Sequence, residues 1–370
     1  MRQASRRSTF AVVPGIMLIA MGTAGCRTQW LFVGNSAGPT IQAFDVSTNA
    51  QGIPKLQLLP NTPIAAGAPM SMQVVGRSLY VAAGSGQVAQ FTINGNTGAL
   101  TLRGTIPAGS PPYSMVATTK AVYVASRVSN DINVYSIDAS ENLANLQTVT
   151  VAAVNVAQLD TGGTRLFTGS RVNGPAGPQL CSHAIQTNGS LGANPNCVAI
   201  AGAPESMVFS AGVLFVHFNA TVAPSLGNSN WISAWTVDPA TGALARRGVD
   251  LDIGAANTGT MGLSTNGQTL FIPRQGGFSM VGTGTVLSHS MFQFPQGPAG
   301  ACVLPPAGGG TVLVDPNGKA IYLADPIGAA TGNVTGAKLS SLEIKAGGAL
   351  APIVCETVAG KPISLALFQP

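Results

Sequence analysis

The apolar residues of this chain fall into short runs, and one run repeats. An apolar-aromatic-apolar-small pattern recurs as Leu31-Phe32-Val33-Gly34, Leu79-Tyr80-Val81-Ala82, Val122-Tyr123-Val124-Ala125, Leu166-Phe167-Thr168-Gly169, Leu214-Phe215-Val216-His217, Leu270-Phe271-Ile272-Pro273 and Ile321-Tyr322-Leu323-Ala324, seven times at intervals of 43 to 56 residues. After most of these comes a second run with apolar residues at i, i+3 and i+5, such as Val88, Phe91, Ile93 and Ile132, Tyr135, Ile137. Turn residues follow, as in Asn94-Gly95-Asn96-Thr97-Gly98 and Asp238-Pro239-Ala240-Thr241-Gly242, and these suit tight hairpins. A third strand and a Gly/Pro-rich crossing come next. A fourth strand precedes each new repeat, visible in Ser71-Met72-Gln73-Val74, Ser114-Met115-Val116-Ala117 and Ser206-Met207-Val208-Phe209. Periods of this length made of four short strands predict an all-β fold, a seven-bladed β-propeller of four-stranded antiparallel blades over 30–370. The terminal Ile363-Ser364-Leu365-Ala366-Leu367 repeats the fourth-strand pattern, and the first repeat lacks one. The C-terminal strand is therefore expected to join blade one and close the ring, which removes exposed edges.

Composition agrees with this pattern. The chain holds 46 Gly, 25 Pro and 8% charged residues, many turn formers and few of the residues that cover exposed helices. Its formal charge of +5 owes three positive charges to Arg2, Arg6 and Arg7; without them 15 basic residues stand against 13 acidic ones. No run of Lys or Arg is left to track a phosphate backbone, so nucleic acid is not an expected partner.

Residues 1–25 read as an export signal: a basic stretch, an apolar stretch from Phe10 to Met21, then small residues before Cys26. Thr23-Ala24-Gly25-Cys26 resembles the lipobox of bacterial lipoproteins, with Thr23 where that family usually has Leu. The resemblance implies lipid attachment at Cys26, a short linker over 26–29 and a membrane partner through the anchor. Arg27 follows Cys26, with no acidic residue there. In a Gram-negative host the resemblance then implies sorting to the outer membrane, with the domain facing the periplasm or the exterior.

Leu79 to Leu100, LYVAAGSGQVAQFTINGNTGAL, resembles the tyrosine-valine-type (YVTN) repeats of the lactonase family of seven-bladed propellers, which contains 6-phosphogluconolactonase-like proteins. The resemblance extends more weakly over Trp30 to Pro370. It implies architecture first, because propellers host many unrelated functions.

Gly34-Asn35-Ser36-Ala37-Gly38 matches the G-x-S-x-G pattern of serine hydrolases, yet it sits between two strands with no helix pattern after it, as that chemistry would need. His183 and His289 fall at apolar positions of the second-strand pattern and read as packed residues. His217 reads as the end of a first strand, at the entry to a loop. No paired-Cys or paired-His motif suggests zinc, and nothing calls for a cofactor. Calcium ligands could come from several blades without a linear motif; Glu205, Asp325 and Asp131 are the acids to inspect.

The topology places the exits of the first repeat strands and the inter-blade crossings around one mouth. There the sequence puts Arg127, Arg171, His217, Arg274 and Asp325, together with Glu205, Asn155, Tyr113 and Lys361. The exits of blades five, six and seven read as long loops over 217–230, 275–285 and 326–337. Two functions follow. One is a cell-envelope propeller that binds or scaffolds a small molecule, a glycan or a protein at this face. The other, implied by the family resemblance, is a lactone hydrolase in which Arg127, Arg171 or Arg274 holds an anionic group and His217 or Glu205 activates water. Phosphorylated sugar lactones are cytosolic metabolites that an exported protein would not meet.

Four further cysteines remain. Position 189 is midway between Cys181 and Cys197, inside the turn predicted for Thr187-Asn188-Gly189-Ser190, so these two should oppose each other in a hairpin and form a disulfide. Cys302 and Cys355 have no such relation; they fall at similar third-strand positions in adjacent blades, where a bridge between them is open.

Overall fold

The computed structural model describes residues 29–48, 54–59, 64–65, 67–109, 111–151, 154–160, 162–171, 177–223, 227–254, 259–274, 277–293, 310–325, 338–345, 349–358 and 362–369. The signal segment, Cys26, Cys302 and Lys361 lie outside these residues, as do the side chains of Asn155, Asp325 and Cys355.

Each repeated apolar run forms the second strand of a four-stranded antiparallel sheet. In blade two the order from the axis outward is Pro69–Val75, Ser78–Ala83, Gln87–Ile93 and Leu100–Pro107. Seven such sheets occur, and among the described residues there is no helix. Both faces of a blade pack on neighbours, so second strands such as Ser78–Ala83 and Ala121–Ser126 are buried at every position and read as continuous apolar runs. The outermost strand Leu100–Pro107 faces water and alternates.

The core is divided accordingly into seven clusters, one at each seam between blades. Phe32 with Phe91 joins blades one and two, Tyr80 with Val122 two and three, Tyr123 with Leu166 three and four, and Phe167 with Leu214 four and five. Phe215 with Ile272, Phe271 with Leu323, and Tyr322 with Leu31 complete the circle. Closure is as expected: Pro362–Phe368 pairs with Gln29–Asn35 as the innermost strand of blade one.

A polar ring reinforces the seams near the axis. The hydroxyl residue before each axial apolar residue bonds to the backbone of the next blade. Ser71 Oγ accepts from Met115 N at 3.2 Å, Ser114 Oγ from Ala157 N at 3.2 Å, Ser206 Oγ from Met261 N at 2.8 Å and Thr260 Oγ1 from Val312 N at 3.0 Å. Thr311 Oγ1 donates to Ile363 O at 2.7 Å, and Ser364 Oγ to Pro69 O at 3.4 Å. Blade four has Val156 at this place, so the seam between blades four and five lacks the clasp and is packed by Val156 against Met207.

Cys181 and Cys197 oppose each other in register and form the predicted disulfide, their Cα atoms 4.1 Å apart. Cys355 lies opposite Ser340 on the outermost strand of blade seven.

Three readings of the sequence are corrected. The segment after Arg274 is no long loop: Gly277–Gly282 is the third strand of blade six, pairing from Arg274↔Gly277 onward, with Phe278 and Val281 fully buried. Its glycines read as a loop, but two buried apolar side chains suffice to hold a strand between neighbours. His289 therefore belongs to the outermost strand Ser288–Gln293, opposite Val281. In blade five the described residues of 217–230 are also strand, as Val213–Ala223 and Gly227–Val237 run together out to Ala223↔Gly227. The blade-seven segment 326–337 lies outside the described residues.

Candidate functional site

The mouth of the ring is shaped by one device repeated in five innermost strands. In each, the register shifts by one residue at the strand's start, so that a single residue has no partner on the second strand. The skipped positions are Ile363 in blade one, Met70 in blade two, Tyr113 in blade three, Asn155 in blade four and Glu205 in blade five. A bulge re-aims its extra side chain out of the pleat. Ile363, Met70, Tyr113 and Glu205 accordingly line a cavity of about 340 Å³ that runs along the axis between the innermost strands of all seven blades. Sequence analysis placed Tyr113, Asn155 and Glu205 here and missed Met70 and Ile363. The signal is present as Pro69-Met70-Ser71, Pro112-Tyr113-Ser114, Pro204-Glu205-Ser206 and Pro362-Ile363-Ser364: a proline that opens the strand, the bulged residue, then the clasp hydroxyl.

Glu205 forms an ion pair with Arg171, the residue just past the second strand of blade four, at 2.5 Å between Oε1 and Nη2. Both side chains stay partly exposed, at 27% and 32%. Blades four and five approach closely beside this pair: a Cβ at Gly169 would meet the Pro204 ring at 2.6 Å. The pair sits at the one seam without a hydroxyl clasp. On blade three, exposed Arg127 lies over the Tyr113 ring, 5.9 Å from its centroid. Arg127, Tyr113, Arg171 and Glu205 thus form a polar arc across blades three to five.

The other candidates are not brought to this arc. His217 lies within a strand, 1% exposed, with Nε2 3.2 Å from Asn230 Oδ1. Burial pushes its pKa down to about 4, against a smaller upward effect of the Asn230 bond. This contradicts its reading as a loop residue that activates water: the strand continues six residues past it, to Ala223. Arg274 ends the second strand of blade six and turns along the seam between blades five and six, donating to Ile253 O at 3.0 Å and Ser279 Oγ at 3.1 Å. Asp325 closes the second strand of blade seven, opposite Lys338. Asp131 is bound by Ser129 and Asn133 in its own turn. Among the described residues no group of three or more His, Cys, Asp or Glu is arranged to hold a metal ion.

A larger furrow of about 680 Å³ opens on the opposite face, between the turns of blades two to four. Its two charged side chains and several of its hydroxyls are occupied in shaping those turns. Asp160 accepts from Thr164 N and Oγ1 at 2.7 and 2.6 Å, Thr118 Oγ1 from Ala121 N at 3.0 Å, and Lys120 Nζ donates to Thr187 O at 3.1 Å. Size favours the furrow, but available chemistry favours the axial mouth.

A family model described as lactonase, 7-bladed beta-propeller, matches residues 22–160. Among solved structures, a Bacteroides fragilis protein provisionally named 6-phosphogluconolactonase aligns with a TM-score of 0.71 at 15% identity, over 92% of this chain and 98% of that one. The Pseudomonas aeruginosa periplasmic gluconolactonase aligns with a TM-score of 0.69 at 14% identity, over 93% of this chain and 100% of that one. At such identities the likeness is one of fold. A search of curated proteins found no significant match. The chain has the fold of a seven-bladed propeller, and in that fold it is similar to lactonase-family proteins.

Proposed function

We propose that this protein hydrolyses a lactone at the axial mouth, with Glu205 as general base. The carrying observation is that a strand bulge aims Glu205 into the cavity while Arg171 fixes its carboxylate. In this reading water attacks the lactone carbonyl carbon and gives its proton to the Glu205 carboxylate. The ring C–O bond then breaks, and the departing alkoxide takes that proton back, leaving a hydroxy acid. Arg127, exposed above Tyr113, supplies positive charge where the carbonyl oxygen becomes anionic. The family match and the gluconolactonase-like neighbours support the reaction class. Export and lipid attachment at Cys26 belong to the same proposal and rest on residues 1–26.

Binding without turnover is the second reading, and the loss of His217 as a base favours it. A panel of γ- and δ-lactones followed by pH-stat separates the two. Turnover is expected, with kcat lowered about a hundredfold or more in Glu205→Gln, the usual scale of a lost general base. Full turnover in that variant removes Glu205 from the chemistry; no turnover of any lactone by the unaltered protein leaves binding alone.

A further inference from the structure

The walls of the axial mouth differ in what they offer a ligand. On the side of blades one and two, the polar lining side chains are bound to backbone: Ser71 to Met115 N, Gln73 Nε2 to Met115 O at 3.2 Å, and Ser364 to Pro69 O. What stands out there for a ligand is the thioether of Met70 and the alkyl side chain of Ile363, both partly exposed and both at bulge positions. In a closed ring of seven, blade five stands across the axis from the junction of blades one and two. Glu205 therefore faces Met70 and Ile363 over the mouth. Polar chemistry lies on one side, and an apolar wall lies opposite.

We infer that the substrate is a lactone carrying an apolar substituent, such as a short alkyl chain on the ring carbon, which rests against Met70 and Ile363 while the ring carbonyl meets Glu205 and Arg127. A polyhydroxylated sugar lactone would put hydroxyl groups against this wall, where the Ser71 and Ser364 hydroxyls and the Gln73 amide nitrogen already have partners, and would lose most of its hydrogen bonds to water without replacement. A volume of about 340 Å³ falls in the range of small-molecule sites and admits a monocyclic lactone with a chain of a few carbons. The inference rests on the hydrolase reading for its assay but names a different part of the site.

The test compares kcat/KM for γ-decalactone with that for glucono-δ-lactone in the unaltered protein and in Met70→Ser, Ile363→Ser and Met70→Leu. The alkyl lactone should be preferred. The preference should fall about tenfold in each Ser variant, the low end of what one apolar contact discriminates. Met70→Leu, which keeps the apolar wall, should retain it. Preference for the sugar lactone, or a ratio unmoved by both Ser changes, overturns the apolar-wall assignment and leaves the hydrolase reading standing. If no lactone is hydrolysed, the hydrolase reading falls, and calorimetric binding of 4-hydroxydecanoate decides the wall. Weaker binding in both Ser variants than in Met70→Leu supports it; absent binding, or equal binding in all variants, overturns it.

Discussion

Two histidines show how burial overrides the chemistry that a residue type suggests. His183 stands where other blades have Phe91, Tyr135 or Trp235; it is 1% exposed and shares a 3.0 Å hydrogen bond between Nε2 and Thr168 Oγ1. Burial pushes its pKa down to about 4, as it does for His217. Each is neutral in the fold, whereas the unfolded chain takes up a proton near pH 6.5. The stability they protect is complete above about pH 6.5 and is lost as the pH falls towards 4. Linkage gives about 2 kcal/mol per histidine at pH 5. His183→Phe, which restores the aromatic of the repeat, should roughly halve the drop in Tm between pH 7 and pH 5; an unchanged drop would show that His183 is not a source of acid sensitivity. The packed role of His183 was legible from its place in the period. His217 was not, because strand length in blade five is set by pairing across to Gly227–Val237, and no local signal records that.

At the scale of the strand and the blade, the hydroxyl clasps make a specific prediction. Ser206 is buried, and its Oγ is the partner of Met261 N across the seam between blades five and six. Ser206→Ala leaves a buried N–H unsatisfied, which costs about 1–3 kcal/mol. Chemical denaturation should report a loss of that size; a loss below about 0.5 kcal/mol would mean that water replaces the hydroxyl and the ring of clasps is incidental. Second strands, hairpin turns and the Cys181–Cys197 bridge were legible because each depends on local period or local register. Blade six was misread for the converse reason. Its third strand begins and ends in glycine, Gly277 and Gly282, and what holds it is the pairing on both sides, Thr269–Arg274 and Ser288–Gln293. The bulges left only the recurring Pro-x-Ser as a trace, and its meaning shows only when the partner strand is known, because a one-residue slip is a relation between two strands.

For the whole molecule, sequence analysis yielded the count of blades and the closing strand because both follow from repetition. The mouth was half legible: its charged residues stood out in a chain with 8% charge, but its apolar wall did not, as Met and Ile are ordinary in a strand. The address is testable apart from the chemistry. Cys26→Ser should abolish acyl labelling and release the protein from the membrane fraction or leave it uncleaved; unchanged membrane partition would contradict lipid attachment. The closing strand also imposes an order of events. Gln29–Asn35 is synthesised long before its neighbour on the axial side, Pro362–Phe368. Until that strand is made, the axial side of blade one is an open template for any extended chain. Blade one therefore cannot be completed before blade seven has been made, and the ring closes as a single late event.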